Sequence, residues 1–176
     1  MTLRTVITIL VAVVFIGWGA YFSNLYSEKS QLSDALYSSK LVEVQTGETK
    51  ALTKFRHKVL VVNFWATWCG PCVKEMPGLS KLQAELDVDD VQIIGIGIDS
   101  QENMKPFAEK YQITYPLFVG ETSGIKLAEK FGNPGGLPFT VLLDERGVVV
   151  KTYHGELDPD MHQLRRDIAQ ITLGHR

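Results

Sequence analysis

The stretch FWATWCGPC, residues 64 to 72, constrains this chain most, because it contains the only two cysteines. The residues before the pair, KVLVVNFWA (58–66), are β-branched and almost wholly apolar, which is typical of a strand buried on both faces. After the pair, apolar residues recur at steps of three and four, which predicts a helix from Gly70 to Leu86. Pro77 lies inside this helix and predicts a kink there. The fold therefore has to place two cysteines between a buried strand and the start of a helix.

The spacing of Cys69 and Cys72 is compatible with several kinds of site. A structural disulfide across two residues closes a very small loop and constrains the unfolded chain little. A structural zinc site needs four ligands, and the four histidines are scattered without ligand spacing. Haem attachment requires a histidine directly after the second cysteine, where this chain has Val73. The remaining interpretation is a redox-active pair, which needs neither a metal nor a cofactor.

The predicted local structure gives the two cysteines different roles. Cys69 comes at the helix N-terminus, where free N–H groups and the helix dipole favour the thiolate. A thiolate is the species that attacks a disulfide, so Cys69 is the predicted nucleophile. Cys72, one turn further on and more buried, is predicted to resolve the mixed disulfide. Between them lie Gly70 and Pro71, and a proline suits the first helical turn. Trp68 is expected to be a surface contact.

The rest of the chain alternates strands with helices and ends in a hairpin. We expect strands at 41–44, with a short return to Leu52, and at 91–99, 116–119, 139–144 and 148–154. Further helices are expected at 103–111, 124–131 and 158–173. Asp158 and Pro159 are residue types preferred at the N-cap and first position of a helix. This order predicts an α/β fold with a mixed central sheet flanked by helices.

The N-terminus has a different character. Residues 5–22, TVITILVAVVFIGWGAYF, carry no charged side chain. As a helix they would be about 27 Å long, close to the roughly 30 Å hydrocarbon layer of a bilayer. A cleaved signal peptide is the main alternative, although its apolar region would be shorter and would end in small residues. We predict an uncleaved membrane anchor at 1–22, a tether at 23–40 and a globular domain at 41–176.

These residues carry a resemblance to a known family over residues 40–172. FWATWCGPC, the following Glu75–Met76–Pro77, a later Gly136–Leu137–Pro138 and the LDERG turn at 143–147 occur in one pattern. This pattern resembles the membrane-anchored TlpA/ResA-like thiol-disulfide oxidoreductases. The resemblance implies a thioredoxin fold preceded by one N-terminal transmembrane helix.

The resemblance also implies roles for residues near the cysteines. In the family, the proline that matches Pro138 follows a cis peptide bond and faces the cysteine pair. Leu137 and Pro138 are therefore expected to bind substrate, together with Trp68. The segment 99–115 lies beyond a minimal thioredoxin, and similar proteins carry an inserted strand and helix there.

A proton acceptor for Cys72 is a separate expectation. Ordinary thioredoxins carry a buried aspartate at the position of Asn63, so in this chain the acceptor has to come from elsewhere. In the resembling group, a glutamate at the position of Glu75 lies near the cysteines. Burial would raise its pKa toward neutrality and allow proton exchange with Cys72, which adds Glu75 to the predicted catalytic residues. The alternative is a solvated carboxylate that complements the helix N-terminus.

The function implied by the resemblance is the reduction of protein disulfides, in the manner of apocytochrome c maturation. A transmembrane electron donor would re-reduce the pair, and we expect a monomer. The net charge of −2 gives no basic footprint, so a nucleic-acid partner is not expected. Basic residues at Arg4, Lys29 and Lys40 barely discriminate the orientation. The class of domain favours a single-pass protein of the inner or plasma membrane, with the domain on the extracytoplasmic (periplasmic) side.

Three other functions remain open at this stage. A disulfide oxidase or isomerase would use the same fold in the opposite direction, and the Gly70–Pro71 dipeptide of reducing thioredoxins argues against it. A peroxiredoxin-like peroxidase would need a Pro- and Thr-containing loop around its cysteine, which this sequence lacks. A copper chaperone would bind Cu(I) through the two cysteines and a histidine, for which His154 is the candidate.

Overall fold

The computed structural model describes residues 14–19, 21 and 32–173. Most of the predicted anchor at 1–22 falls outside these residues, as does the first half of the predicted tether. Within the described residues, no helix combines the length and the apolar character needed to cross a bilayer. Residues 32–37 are helical, and Leu36 and Tyr37 are buried in the core. The packed part of the fold thus begins before residue 41.

After the short helix at 32–37, seven strands and four longer helices build the described domain. The strands are β1 (Lys40–Glu43), β2 (Thr49–Ala51), β3 (Val59–Trp65), β4 (Val91–Gly97), β5 (Leu117–Val119), β6 (Phe139–Leu143) and β7 (Val149–His154). The helices are α1 (Gly70–Glu85), α2 (Gln101–Lys110), α3 (Glu121–Lys130) and α4 (His162–Leu173). One sheet has the order β2-β1-β5-β4-β3-β6-β7. Its β3–β4 and β4–β5 pairs are parallel and the others are antiparallel, which confirms the predicted mixed sheet.

The central strand β3 is buried on both faces, as its apolar sequence predicts. Successive side chains of a strand point to opposite faces. Val61 and Trp65 accordingly join the core cluster that includes α1, whereas Val62 and Phe64 join the cluster that includes α3. Asn63 has the same parity as Trp65, and this places its amide on the α1 side of the sheet. The strand therefore carries a buried polar side chain to the helix that begins at the cysteines.

Several predicted boundaries need correction. The closing helix begins at His162 instead of Asp158, because Met161 adopts φ +55°, a left-handed conformation that a right-handed helix cannot contain. Asp158 still accepts the backbone N–H of His162, at 2.9 Å, but across a turn that precedes the helix. Leu52 does not end a strand and instead begins a 3₁₀ turn, Leu52–Phe55. The helices predicted at 103 and 124 begin two and three residues earlier, at Gln101 and Glu121.

The segment 99–115 contains one helix, α2, and no strand among its residues. The strand predicted separately at 116–119 follows this segment, as β5. Helix α2 packs directly against the central strand, with the Phe107 ring 5.1 Å from the Trp65 ring between centroids. The segment thus covers the side of the sheet from which the cysteine loop emerges.

Candidate active site

The cysteine pair lies where the sequence predicts, between the end of β3 and the first turn of α1. Cys69 is the N-cap residue of α1, and its Sγ accepts the backbone N–H of Cys72 at 3.3 Å. The two residues form a disulfide, with Cα atoms 5.3 Å apart. Cys69 is 6% exposed and Cys72 is fully buried, so Cys69 is the sulfur that a second molecule can reach. Gly70 and Pro71 are exposed in the first turn of the helix.

An apolar groove of about 370 Å³ opens beside Cys69. Trp68 forms one wall and is 70% exposed, whereas Trp65 is fully buried in the core. Leu137 lies on the loop before β6 and also lines the groove. The remaining walls come from the end of β4, from α3 and from the loop that follows α3, through Ile98, Ile125, Ala128, Glu129, Asn133 and Gly135. A mostly apolar recess at a reactive sulfur can receive an apolar side chain of an extended peptide.

The Leu137–Pro138 peptide bond is cis, as the resemblance implies. The loop before it is organised by Asn133, whose Oδ1 accepts the N–H groups of Gly135 and Gly136, each at 3.1 Å. The carbonyl oxygen of Pro138 accepts the N–H of Gly155 at 3.0 Å. The loop is therefore fixed both internally and to the residue that follows β7.

Glu75 is buried, at 2% exposure, and is not the solvated carboxylate of the alternative interpretation. Its Oε1 accepts the Asn63 amide Nδ2–H at 2.7 Å, and its Oε2 accepts the backbone N–H of Leu157 at 2.8 Å. Burial, together with a smaller effect of the Glu156 charge, raises the pKa of Glu75 to about 7, against the opposing effect of the Leu157 and Asn63 hydrogen bonds. A carboxyl group with this pKa can both accept and donate a proton near neutral pH.

Asn63 links Glu75 to the strand that follows the cis-proline. Its Nδ2 donates to Thr140 Oγ1 at 3.0 Å as well as to Glu75. Its Oδ1 is buried and has no hydrogen-bond partner among the described residues. When Glu75 is protonated, rotation of the Asn63 amide would present this oxygen as an acceptor for the new O–H donor. The neutral amide at position 63 can thus serve both protonation states of the carboxyl group.

A second carboxylate, Asp99, holds the loop that leads to the cysteines. Its Oδ2 accepts hydrogen bonds from the hydroxyl and the backbone N–H of Thr67, and its Oδ1 accepts the Asn103 amide at 2.7 Å. Burial opposes ionisation of Asp99, but its hydrogen bonds outweigh this effect and lower its pKa. The ionised side chain therefore fastens the residue before Trp68 to helix α2.

The structure brings the predicted residues Trp68, Cys69 and Leu137 together around one groove. It places Cys72, Gly70 and Pro71 in the first turn of α1, and Glu75 one turn beyond Cys72 on the same helix. The sequence reasoning did not identify Asn133, Thr140, Leu157, Glu156 or Asp99. Only Asn133 had a local signal, since the NPGG stretch marks a turn.

A cysteine pair at the N-terminus of a helix, on a thioredoxin-like mixed sheet, defines a thiol-disulfide oxidoreductase. The Redoxin family model matches residues 31–168. The thioredoxin-like protein YneN of Bacillus subtilis (strain 168) is 28% identical over 166 residues, which are 92% of this chain and 95% of the relative. The thiol-disulfide oxidoreductase ResA of Geobacillus thermodenitrificans (strain NG80-2) is 30% identical over 159 residues, 89% of this chain and 88% of the relative.

Solved structures agree with this class. A thioredoxin-related protein from Neisseria meningitidis serogroup B superposes with a TM-score of 0.66 at 30% identity, and covers 76% of this chain and 99% of its own. The chain belongs to the Redoxin family, as a TlpA/ResA-like member.

Proposed function

We propose that this chain is a reductant of protein disulfides that uses the Cys69–Cys72 pair. The observation that carries the proposal is the buried carboxyl group of Glu75, with its pKa raised to about 7, one helical turn beyond Cys72. Residues three apart on a helix are neighbours, so this group is placed to take the proton of the resolving thiol. The direction of electron flow rests on Gly70 and Pro71, the dipeptide of the reducing thioredoxins.

The reaction proceeds in two exchanges. In the reduced enzyme, the Cys69 thiolate attacks one sulfur of the substrate disulfide; a Cys69–substrate bond forms, and the released substrate sulfur takes up a proton. Cys72 then gives its proton to the Glu75 carboxylate and attacks Cys69 Sγ. This step restores the Cys69–Cys72 disulfide and releases the second substrate sulfur. The substrate gains two electrons, and an external donor must return two electrons to the enzyme.

The groove beside Cys69 is the proposed substrate-binding surface. Trp68 and Leu137 offer apolar contacts on two of its sides, and the backbone N–H and carbonyl groups of Leu137, before the cis bond, are proposed to pair with an extended segment. Gly70 and Pro71 keep the first turn of α1 free of bulky side chains. A protein disulfide in an exposed, flexible segment fits this arrangement better than one buried inside a folded domain.

The substrate and the setting follow from the relatives named ResA and from the resemblance. We propose apocytochrome c, with its CxxCH disulfide, as the substrate and a transmembrane protein as the electron donor. Residues 1–22 would anchor the monomeric protein in the inner or plasma membrane, and 23–40 would connect the anchor to the domain. The domain would then work on the extracytoplasmic side, where the oxidising environment makes a dedicated electron donor necessary.

An oxidase would use the same residues with the electron flow reversed, and an isomerase would use them to rearrange disulfides without net electron transfer. The copper-chaperone alternative has less support. Within the part of the chain that the structure describes, no group of three His, Cys, Asp or Glu side chains could hold a metal ion. The His154 ring packs against the Phe139 ring instead, at 4.9 Å between centroids.

Peptide reduction tests the proposal. The reduced full-length chain is mixed with an oxidised CxxCH peptide, and the appearance of the dithiol peptide is followed by mass spectrometry. We expect rapid reduction, no reduction with Cys69→Ser, and a trapped mixed disulfide with Cys72→Ser. Glu102→Gln, which alters an exposed carboxylate on α2, is the matched control and should behave like the unaltered chain. Oxidation of a reduced peptide, without reduction of the oxidised one, would contradict the proposed direction.

A further inference from the structure

The segment Gly155–Leu157, between β7 and α4, joins two parts of the site. Gly155 donates its N–H to the carbonyl oxygen of Pro138 at 3.0 Å. Two residues later, Leu157 donates its N–H to Glu75 Oε2 at 2.8 Å. Three consecutive residues therefore connect the backbone at the cis-proline with the buried carboxyl group.

Glu156 is the middle residue of this segment. Hydrogen bonds of the residues on both sides hold its backbone next to the Glu75 carboxyl group. Its own side chain is exposed, whereas Glu75 is only 2% exposed. A fixed negative charge beside a buried carboxyl group disfavours ionisation of that group, and Glu156 acts on Glu75 in this sense.

The other groups that face Glu75 come from several elements and carry no charge. Asn63 on β3 donates through its neutral amide, and Leu157 donates through its backbone. Tyr115, before β5, is fully buried, which raises its pKa well above the ordinary value and keeps it neutral. Cys72 on α1 binds no proton while it is in the disulfide. Among the residues that the structure describes, the charged group that acts on Glu75 is Glu156.

We propose that Glu156 is a positioning residue for proton exchange: the backbone hydrogen bonds of Gly155 and Leu157 hold it next to Glu75, and its negative charge favours the transfer of the Cys72 proton to the Glu75 carboxylate. No covalent bond to carbon changes, since the proton leaves Cys72 Sγ for a Glu75 oxygen while Glu156 stays ionised. The part played by Cys72 rests on the proposed function. The interaction between the two carboxyl groups does not depend on it.

Carbon-13 NMR of glutamate carboxyl groups tests the interaction in the oxidised full-length chain, where the cysteines do not titrate. Glu75→Gln identifies the Glu75 resonance. We expect Glu156→Gln to lower the titration midpoint of Glu75 by about half a pH unit at low ionic strength, from Coulomb repulsion through partly solvated surroundings. The difference should shrink in about 1 M salt, because the exposed charge is screened. Glu156→Asp, which keeps the charge, and the control Glu102→Gln should stay near the unaltered chain.

The outcomes separate this inference from the function on which it builds. An unchanged Glu75 midpoint in Glu156→Gln would overturn the role of Glu156 and leave peptide reduction untouched. If the midpoint falls, the acidic limb of the rate–pH profile of the reduced enzyme should move to lower pH by the same amount. A shifted midpoint with an unmoved limb would overturn the proton exchange between Glu75 and Cys72, although the two carboxyl groups interact.

Discussion

Replacing Glu75 by Gln should remove the loss of folding stability that ionisation of the buried Glu75 causes as the pH rises from 4.5 through about 7. The unfolded chain ionises this carboxyl group near its ordinary pKa of 4.5, whereas the folded chain does so at about 7. Between these values the folded state binds more protons, so the free energy of unfolding falls as the pH rises. The stability is fully present below pH 4.5 and is lost as the pH rises through 7. A pKa difference from 4.5 to about 7 corresponds to about 3 kcal/mol.

The variant also changes the hydrogen bonds of the site, and this effect has to be kept apart. The side-chain oxygen of Gln can replace only one of the two carboxylate oxygens that accept from Asn63 and Leu157. An unpaired buried donor costs about 1–3 kcal/mol, but this cost does not depend on pH. The test therefore uses the slope of stability against pH, and not the level at one pH.

Urea denaturation of the oxidised chain, followed by tryptophan fluorescence from pH 4.5 to 8.5, measures this slope. The free energy of unfolding of Glu75→Gln minus that of the unaltered chain should rise by about 3 kcal/mol across this range. Contributions that the two proteins share cancel in the difference. The control Glu102→Gln, which alters an exposed carboxylate, should not reproduce this rise. If the free energies of unfolding of Glu75→Gln and of the unaltered chain change with pH in parallel, the reasoning is refuted, because Glu75 would then ionise alike in the folded and unfolded states.

Three further variants test other parts of the site. Trp68→Ala should lower kcat/KM for an oxidised peptide about tenfold, as expected for the loss of one well-placed aromatic contact, while urea stability stays unchanged because the side chain is 70% exposed. An unchanged kcat/KM would remove Trp68 from the substrate-binding surface. Asp99→Ala should raise KM more than it lowers kcat, since Thr67 loses the acceptor that holds the loop, and equal effects on both constants would argue against a positioning role. Gly95→Ala should cost about 1–3 kcal/mol in urea denaturation, because its methyl group would lie 2.5 Å from a Leu117 methyl, and wild-type stability would show that the core yields there.

The sequence predicts those features of this protein that depend on residues adjacent to one another in the chain. The apolar run of β3, the cysteines after it and the helical pattern from Gly70 are adjacent in the chain, so their relative positions follow from strand and helix geometry. The hairpin of β6 and β7 is also local, and Gly147 provides its turn with φ +80°. The resemblance left Glu75 either buried near the cysteines or solvated, and the structure has it buried, with its pKa raised.

Other features depend on contacts between distant parts of the chain. Leu157 lies 82 residues from Glu75, and no sequence pattern near either residue indicates the hydrogen bond between them. Asp99 and Thr67 are 32 residues apart, and their contact follows from the pairing of β3 with β4. The sequence did not predict the start of α4, because Met161 adopts a left-handed conformation. Glycine or asparagine usually marks this conformation in a sequence, and a methionine does not.

The reduction potential of the Cys69–Cys72 pair tests the central claim most directly. It is measured by equilibrating the full-length chain with glutathione or dithiothreitol buffers of known potential and by quantifying the two redox forms. We expect a value near or below about −270 mV, the potential of thioredoxin, as befits an electron donor. A value near about −120 mV, that of the strong oxidant DsbA, would mean that the pair accepts electrons and that its substrates are dithiols.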